Sequence, residues 1–183
     1  MNGIYYPSNC NNVPPHYCGC ETEELGRIRS VAFISLDFQF ANGDPSNPNE
    51  WARGVDSELI FIIPETHGEL PMPSPKMGPG FGQTVEQLLG YDFALKYYDP
   101  NFASNCGFYN ALKVNRNFLV AYCTSSQCYI NDVTCTIIPG APIQDDLMSL
   151  VTWEVSVKWQ SPNIPCPFDI PDGVFDQCFV PNS

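Results

Sequence analysis

Alternating apolar and polar residues dominate the chain and predict β-strands. From Val151 to Trp159 the odd positions are large and apolar, whereas the even positions are polar. Because successive side chains of a strand point to opposite faces, this pattern predicts a two-faced strand whose two tryptophans anchor a core. Its polar row carries no histidine or cysteine. We therefore interpret this strand as architecture rather than as part of a catalytic site.

Similar apolar runs predict further strands over residues 28–40, 59–63, 90–98, 118–123, 128–132 and 133–138. The links between the later strands are short and polar or contain proline. Parallel neighbours need crossovers of about a dozen residues, so these links favour antiparallel pairing. The sequence therefore predicts a mainly β fold, either an antiparallel β-sandwich or a small barrel.

Turn-forming residues predict two loops. Residues 42–49 read NGDPSNPN and are expected to form a loop, because these residue types favour chain reversal. Residues 64–82 are rich in proline and glycine and are expected to form a long extended loop. Such a connection is unusual in a compact domain unless it is functional, so it is a candidate for an arm that orders on a neighbouring subunit.

One flanking α-helix is predicted, and one segment remains open between helix and strand. Asp99 followed by Pro100 is a favourable helix start, and apolar residues then recur at helical spacing, which predicts a helix over 100–113. Over residues 83–98, Thr84 and Gln87 resemble a capping box before a short helix. The alternation from Tyr91 onward instead predicts a strand.

Length and composition are consistent with a single domain over 1–183. The 18 prolines and 13 glycines of this 183-residue chain favour many turns and few long helices. Residues 1–25 are expected to form a cysteine-containing N-terminal arm, and residues 160–183 an extended C-terminal tail. No stretch of about 18 apolar residues predicts a membrane span, and the N-terminus lacks the features of a signal peptide.

The charge balance disfavours binding to polyanions. Eight basic against 20 acidic residues leave a formal charge of −12. Such a chain is expected to repel nucleic acid and anionic membranes, so a DNA-reading role is disfavoured. The same sign suits the wall of a channel along which DNA slides without binding, although solubility alone also explains it.

Nine cysteines form an odd set, so at least one cannot pair within the chain. Reduced thiols are therefore the favoured interpretation. Cys10, Cys18 and Cys20, with His16 nearby, are the nearest approach to a zinc site, but one intervening residue is tighter than the usual spacing. Cys123 and Cys128 flank a four-residue link that suits a hairpin. Packed thiols are favoured there over a disulfide.

The remaining polar motifs favour no catalytic residue, metal ligand or cofactor site. His67 stands beside Glu65 and Glu69 without a nucleophile close in sequence, so it is expected to be a solvated loop residue. The pair at 145–146 lacks the calcium-loop pattern, and the glycine-rich run at 78–82 lacks the lysine of a phosphate-binding loop. Both are expected to be solvated loops.

Several short stretches resemble virion structural proteins from phages and prophages of gut Bacteroidota, including crAss-like phages. The similarity lies in the order and spacing of these stretches from about Gly26 to Phe168. The stretches are Val31-Ala32-Phe33-Ile34, Ile62-Ile63-Pro64, Gly80-Phe81-Gly82-Gln83, Gly90-Tyr91-Asp92-Phe93, Asp99-Pro100-Asn101, Phe108-Tyr109-Asn110-Ala111, Ile130-Asn131-Asp132-Val133, Ile137-Ile138-Pro139 and Trp153-Glu154-Val155.

The resemblance implies a non-enzymatic tail-tube or head–tail connector subunit in a virion. It would form homo-oligomeric rings, contact other virion proteins and let DNA pass as cargo without specific binding. The family supplies no catalytic residue. A monomeric ligand- or glycan-binding β-module and a small zinc protein remain as alternatives. A binding module predicts a monomer with a formed aromatic cleft, whereas a ring subunit predicts self-association.

Overall fold

The structure is a computed structural model that describes residues 26–80 and 85–175. The expected N-terminal arm, with Cys10, His16, Cys18 and Cys20, lies outside the described residues. Within them the fold is mainly β and consists of two antiparallel sheets with two α-helices. The sheets remain separate over the described ranges, so the sandwich alternative holds and the barrel alternative does not.

The first sheet has the strand order β10-β7-β6-β1-β2. Its strands are β1 (Ser30–Ser35), β2 (Ile60–Ile63), β6 (Phe118–Cys123), β7 (Gln127–Ile130) and β10 (Phe168–Asp169). β1 is an interior strand between β6 and β2, and it is buried throughout because both of its faces are covered. The predicted strand over 28–40 is therefore too long, and the expected extended tail over 160–183 contains a short paired strand.

The second sheet has the order β3-β5-β9-β8, with β4 also paired to β5. Its strands are β3 (His67–Glu69), β4 (Ser74–Pro79), β5 (Glu86–Asp99), β8 (Thr136–Gly140) and β9 (Trp153–Ser161). The predicted alternation of the tryptophan strand is confirmed, since the odd positions from Trp153 to Ser161 are buried. Over 83–98 the strand alternative is confirmed for the described residues, and it begins at Glu86.

Two strands lie in the segment that was expected to be a long loop. β3 and the second half of β5 pair from His67 to Glu69, and β4 pairs with the first half of β5. The expectation of an extended loop over 64–82 is therefore wrong for residues 67–69 and 74–79. Proline is compatible with a strand at the edge of a sheet, where its missing N–H faces away from the neighbouring strand.

The main core lies between the two sheets. Aromatic side chains dominate it, and Phe93 and Trp159 stack with ring centroids 4.9 Å apart. The short helix α2 (Cys106–Leu112) closes one end through Tyr109 and Leu112. It begins six residues later than the predicted helix over 100–113, because β5 extends to Asp99 and turns occupy the intervening residues.

A second core covers the outer face of the first sheet. The helix α1 (Pro48–Asp56) packs there through Trp51, which is fully buried against Phe40 and Phe175. The prediction of a loop over 42–49 is wrong at its end, since Asn47 caps the helix and Pro48 is its first residue. The Asn47 side chain accepts a hydrogen bond from the Asn49 N–H at 3.1 Å.

Candidate interaction surface

A β-ribbon extends beyond the sandwich at one end of the second sheet. β5 pairs with β9 from Tyr91 to Asp99, so its first five residues, 86–90, extend past that pairing. There β5 pairs with β4 alone. A bulge on β5 between Leu88 and Gly90 marks the start of this region. We call β4 together with residues 85–90 the β4–β5 ribbon.

The β4–β5 ribbon exposes large apolar side chains. Val85 is 72% exposed, Leu89 62%, and Leu88 and Met77 about half. Leu89 lies across Gly78, where any side chain would collide with it. Lys76 and Asp92 form an ion pair of 3.4 Å at the base of the ribbon. The ribbon is thus an ordered element with apolar side chains that nothing in the described part of the chain covers.

A second exposed apolar group lies on the connection 141–152 between β8 and β9. Leu147 is fully exposed and Met148, Leu150 and Ile143 are nearly so. Asp146 orders the turn, because its carboxylate accepts from the Met148 N–H at 3.0 Å and from the Ser149 hydroxyl at 3.1 Å. The pair at 145–146 therefore lies in an exposed loop, as predicted, and Asp146 hydrogen-bonds within a turn whose neighbouring apolar side chains are exposed.

A buried carboxylate joins the core to helix α2. Asp99 is 1% exposed and accepts hydrogen bonds from the Tyr109 hydroxyl at 2.8 Å, the Asn105 side chain at 2.9 Å and the Asn101 N–H at 2.9 Å. Burial raises the pKa of Tyr109 and of the adjacent Tyr97, so both stay protonated. Because the chain itself provides the hydrogen-bond donors to the Asp99 carboxylate, we interpret this cluster as structural.

Two of the predicted thiols are joined in the structure. Cys123 and Cys128 lie opposite each other in the β6–β7 hairpin and form a disulfide, so the expectation of packed thiols is wrong at this pair. The spacing indicated the hairpin, whereas the odd cysteine count argued against oxidation. Cys135 remains free, and burial raises the pKa of its thiol to about 12, which makes it an inert core residue.

His67 lies on β3 rather than in a loop. Its ring contacts the Arg27 guanidinium and the carbonyl of Thr66, and no hydroxyl or thiol of the described residues hydrogen-bonds to it. The glycine-rich run is divided, since Gly78 and Pro79 belong to β4 while residues 81–82 lie outside the described ranges. Neither feature forms a catalytic arrangement.

Among the residues described, no three His, Cys, Asp or Glu side chains group closely enough to hold a metal ion. None of the described helices is long and apolar enough to cross a membrane. No protein-family model, curated protein or solved structure matches this chain. The functional interpretation therefore depends on the exposed surfaces described above.

Proposed function

We propose that this chain is a non-enzymatic structural subunit of a bacteriophage particle. It self-assembles into rings around a DNA channel, as a tail-tube or head–tail connector component, and it contacts other virion proteins. The resemblance of its sequence to Bacteroidota phage virion proteins motivates this assignment. A β-sandwich is compatible with it and is common to many other functions, so the fold alone does not carry the proposal.

The single observation that supports the proposal most is the exposed apolar surface of the β4–β5 ribbon. Uncovered apolar side chains on an ordered element are typical of surfaces that bind another protein. Burying the exposed halves of Met77, Val85, Leu88 and Leu89 contributes about 1 kcal/mol for each side chain. Because the ribbon is already paired, its docking costs less conformational entropy than the ordering of a free loop.

A ring needs two different contact surfaces on each subunit. Heterologous contacts close into a ring when one patch binds a distinct patch of the next copy. The connection 141–152 supplies a second exposed apolar group, centred on Leu147 and Met148. In the proposed ring, the ribbon and this connection contact neighbouring subunits. The formal charge of −12 keeps DNA mobile in the channel by repulsion.

The test is the oligomeric state of the full chain. We expect analytical ultracentrifugation to show concentration-dependent assembly, and negative-stain images to show rings with a central hole. The double variant Leu88→Asp/Leu89→Asp places two charges on the β4–β5 ribbon without touching the core. It is expected to remain monomeric and to keep the melting temperature of the wild-type monomer.

Val114→Asp is the matched control, because Val114 is 75% exposed and lies next to α2, outside the ribbon. This variant is expected to assemble like the wild type. A wild-type chain that stays monomeric at every concentration tested would contradict self-assembly. Equal assembly by the ribbon variant and the Val114 variant would show that the ribbon is not the contact surface.

A further inference from the structure

A cleft of about 890 Å³ opens where the described chain begins and β3 meets the β6–β7 hairpin. This volume lies within the range of small-molecule sites. Its polar lining combines cationic groups with hydroxyls. Its basic residues are Arg27, Arg29 and His67, and its hydroxyl residues are Ser30, Thr66, Tyr98, Thr124, Ser125 and Thr152. The β4–β5 ribbon does not line it, whereas Leu150 and Thr152 of the connection 141–152 do.

The cleft concentrates positive charge in an acidic protein. Two of the eight basic residues of the chain, Arg27 and Arg29, line it. The ion pairs of the described residues involve Arg53 and Lys76 instead, so neither cleft arginine pairs with a described carboxylate. Guanidinium groups present several N–H donors in a plane and bind carboxylates in a bidentate manner. The cleft is therefore suited to an oxyanion.

The contact between Arg27 and His67 positions the guanidinium. The Arg27 Nη2 contacts both ring nitrogens of His67 and lies 2.8 Å from Nε2, and His67 Nδ1 lies 3.1 Å from the Thr66 carbonyl oxygen. Because the imidazole holds one edge of the guanidinium, the remaining N–H groups of Arg27 are left to bind a ligand.

Thr66 supplies an independent indication of a ligand. It lines the cleft, it is 6% exposed, and its buried hydroxyl has no hydrogen-bond partner among the described residues. An unmade hydrogen bond of this kind is costly, so structures rarely retain one without a reason. A ligand oxygen seated beside Thr66 would satisfy this hydroxyl. The orphan hydroxyl and the two arginines thus point to the same occupant.

The rest of the lining selects the chemistry of that occupant. Several hydroxyls around the cleft suit a polyhydroxylated ligand, and the partly exposed ring of Tyr98 offers a flat surface to a sugar. Glu65 also lines the cleft and is exposed. Its carboxylate accepts hydrogen bonds from ligand hydroxyls and repels a second negative charge. The lining therefore favours one carboxylate on a sugar over a multiply charged phosphate.

We propose that this cleft binds an acidic sugar, a saccharide that carries a single carboxylate. The ligand carboxylate pairs with Arg27 and Arg29, while its hydroxyls bond to Thr66 and Glu65. The site requires one subunit and goes beyond the assembly proposed above. It gives the chain a carbohydrate-binding activity whose site does not include the β4–β5 ribbon.

The test is a calorimetric titration of the full chain with glucuronate, glucose and inorganic phosphate. We expect glucuronate to bind, and both glucose and phosphate to bind at least about tenfold more weakly, because each lacks half of the recognised chemistry. Equal binding of glucose and glucuronate would refute the role of the arginines. Phosphate binding as tightly as glucuronate would refute the sugar specificity.

The variant Arg27→Gln/Arg29→Gln is expected to raise the Kd for glucuronate about tenfold or more, because charge-assisted hydrogen bonds are lost. Arg116→Gln is the matched control, since Arg116 is exposed and does not line the cleft. Thr66→Val removes the orphan hydroxyl, so it is expected to weaken binding without lowering the melting temperature. Unchanged affinity in both cleft variants would overturn the proposal.

Discussion

Two glycines on the two helices are expected to respond in opposite directions to the same substitution. Gly54 lies inside α1 and is buried, whereas Gly107 lies in α2 and is exposed. Replacing a helical glycine by alanine normally stabilises by about 0.5–1 kcal/mol, because the unfolded chain loses conformational freedom. At Gly107 an added Cβ meets nothing within 4 Å, so Gly107→Ala is expected to show this full gain.

At Gly54 the added Cβ would collide with the side chain of Ile60 and approach Phe38 to 3.1 Å. Both neighbours are buried, at 1% and 7% exposure, so neither can move into solvent. Overpacking of this kind costs about 1–3 kcal/mol, which exceeds the helix gain. We therefore expect Gly54→Ala to destabilise the chain by about 1–2 kcal/mol net.

The assay is urea denaturation followed by tryptophan fluorescence, with the slope of the transition checked for constancy. Gly54→Ala combined with Ile60→Val removes the closest atom of the clash and is expected to recover part of the lost free energy, as coupling between contacting residues predicts. Stabilisation by Gly54→Ala equal to that by Gly107→Ala would refute the close packing of α1 on β2.

Two further predictions concern buried polar groups. Tyr109→Phe removes a donor to the buried Asp99 carboxylate and is expected to lower the free energy of unfolding by about 1.5–3 kcal/mol. Tyr91→Phe is the control, because the Tyr91 hydroxyl makes no hydrogen bond within the described residues, and it is expected to cost far less. Equal costs of the two variants in denaturant titrations would contradict the Asp99 cluster. The second prediction concerns pH. Burial raises the pKa of Cys135 from 9.0 to about 12 and that of Tyr97 well above 10.0. As pH rises, these two groups therefore lose their protons in the unfolded chain before they do so in the folded chain. Stability is therefore expected to be complete below pH 9.0 and to fall above it by up to about 1.4 kcal/mol per pH unit for each group, and Cys135→Ala should make this fall less steep.

Strands with alternating apolar and polar residues could be predicted from the sequence, because this alternation is a local signal. β6 has the predicted bounds, and the buried alternation of β9 is confirmed, although the strand begins at Trp153, two residues after the predicted start at Val151. Helix α1 was missed although its start signals are also local. Asn47 and Pro48 were interpreted as turn formers within a run of similar residues, and only packing of Trp51 under Phe175 distinguishes the helix from a loop.

Long-range pairing explains the other differences. β3 and β4 form because β5 offers them an edge, and no local pattern in a proline-rich segment encodes that partner. Asp99 and Pro100 resemble a helix start, yet Asp99 pairs with Trp153 at the end of β5, and its carboxylate bonds to Tyr109 instead of capping a helix. Local preference was overridden by the sheet.

The cleft could not be predicted from spacing. Arg27 and His67 are 40 residues apart in sequence and meet only because Ile28 bridges to Gly68 beside β3. The sequence singles out His67 on its chemistry but predicts a solvated loop residue, so it does not predict the contact with Arg27. The hydroxyl of Thr66 becomes informative only when its burial and lack of a partner are known, and neither follows from the residue type.

The prolines of β4 limit how far such chains can associate. A proline has no N–H to give to β5, so Pro75 and Pro79 are accommodated where that group would point away from it. Residues 75, 77 and 79 of β4 direct this backbone position away from β5. Only Met77 among these three has an N–H group that could donate a hydrogen bond to a further strand. A further strand would find too few hydrogen bonds to extend the sheet. The exposed edge thus resists the open-ended strand stacking of amyloid fibres, while the side chains beside it stay available for contacts that end at a defined partner.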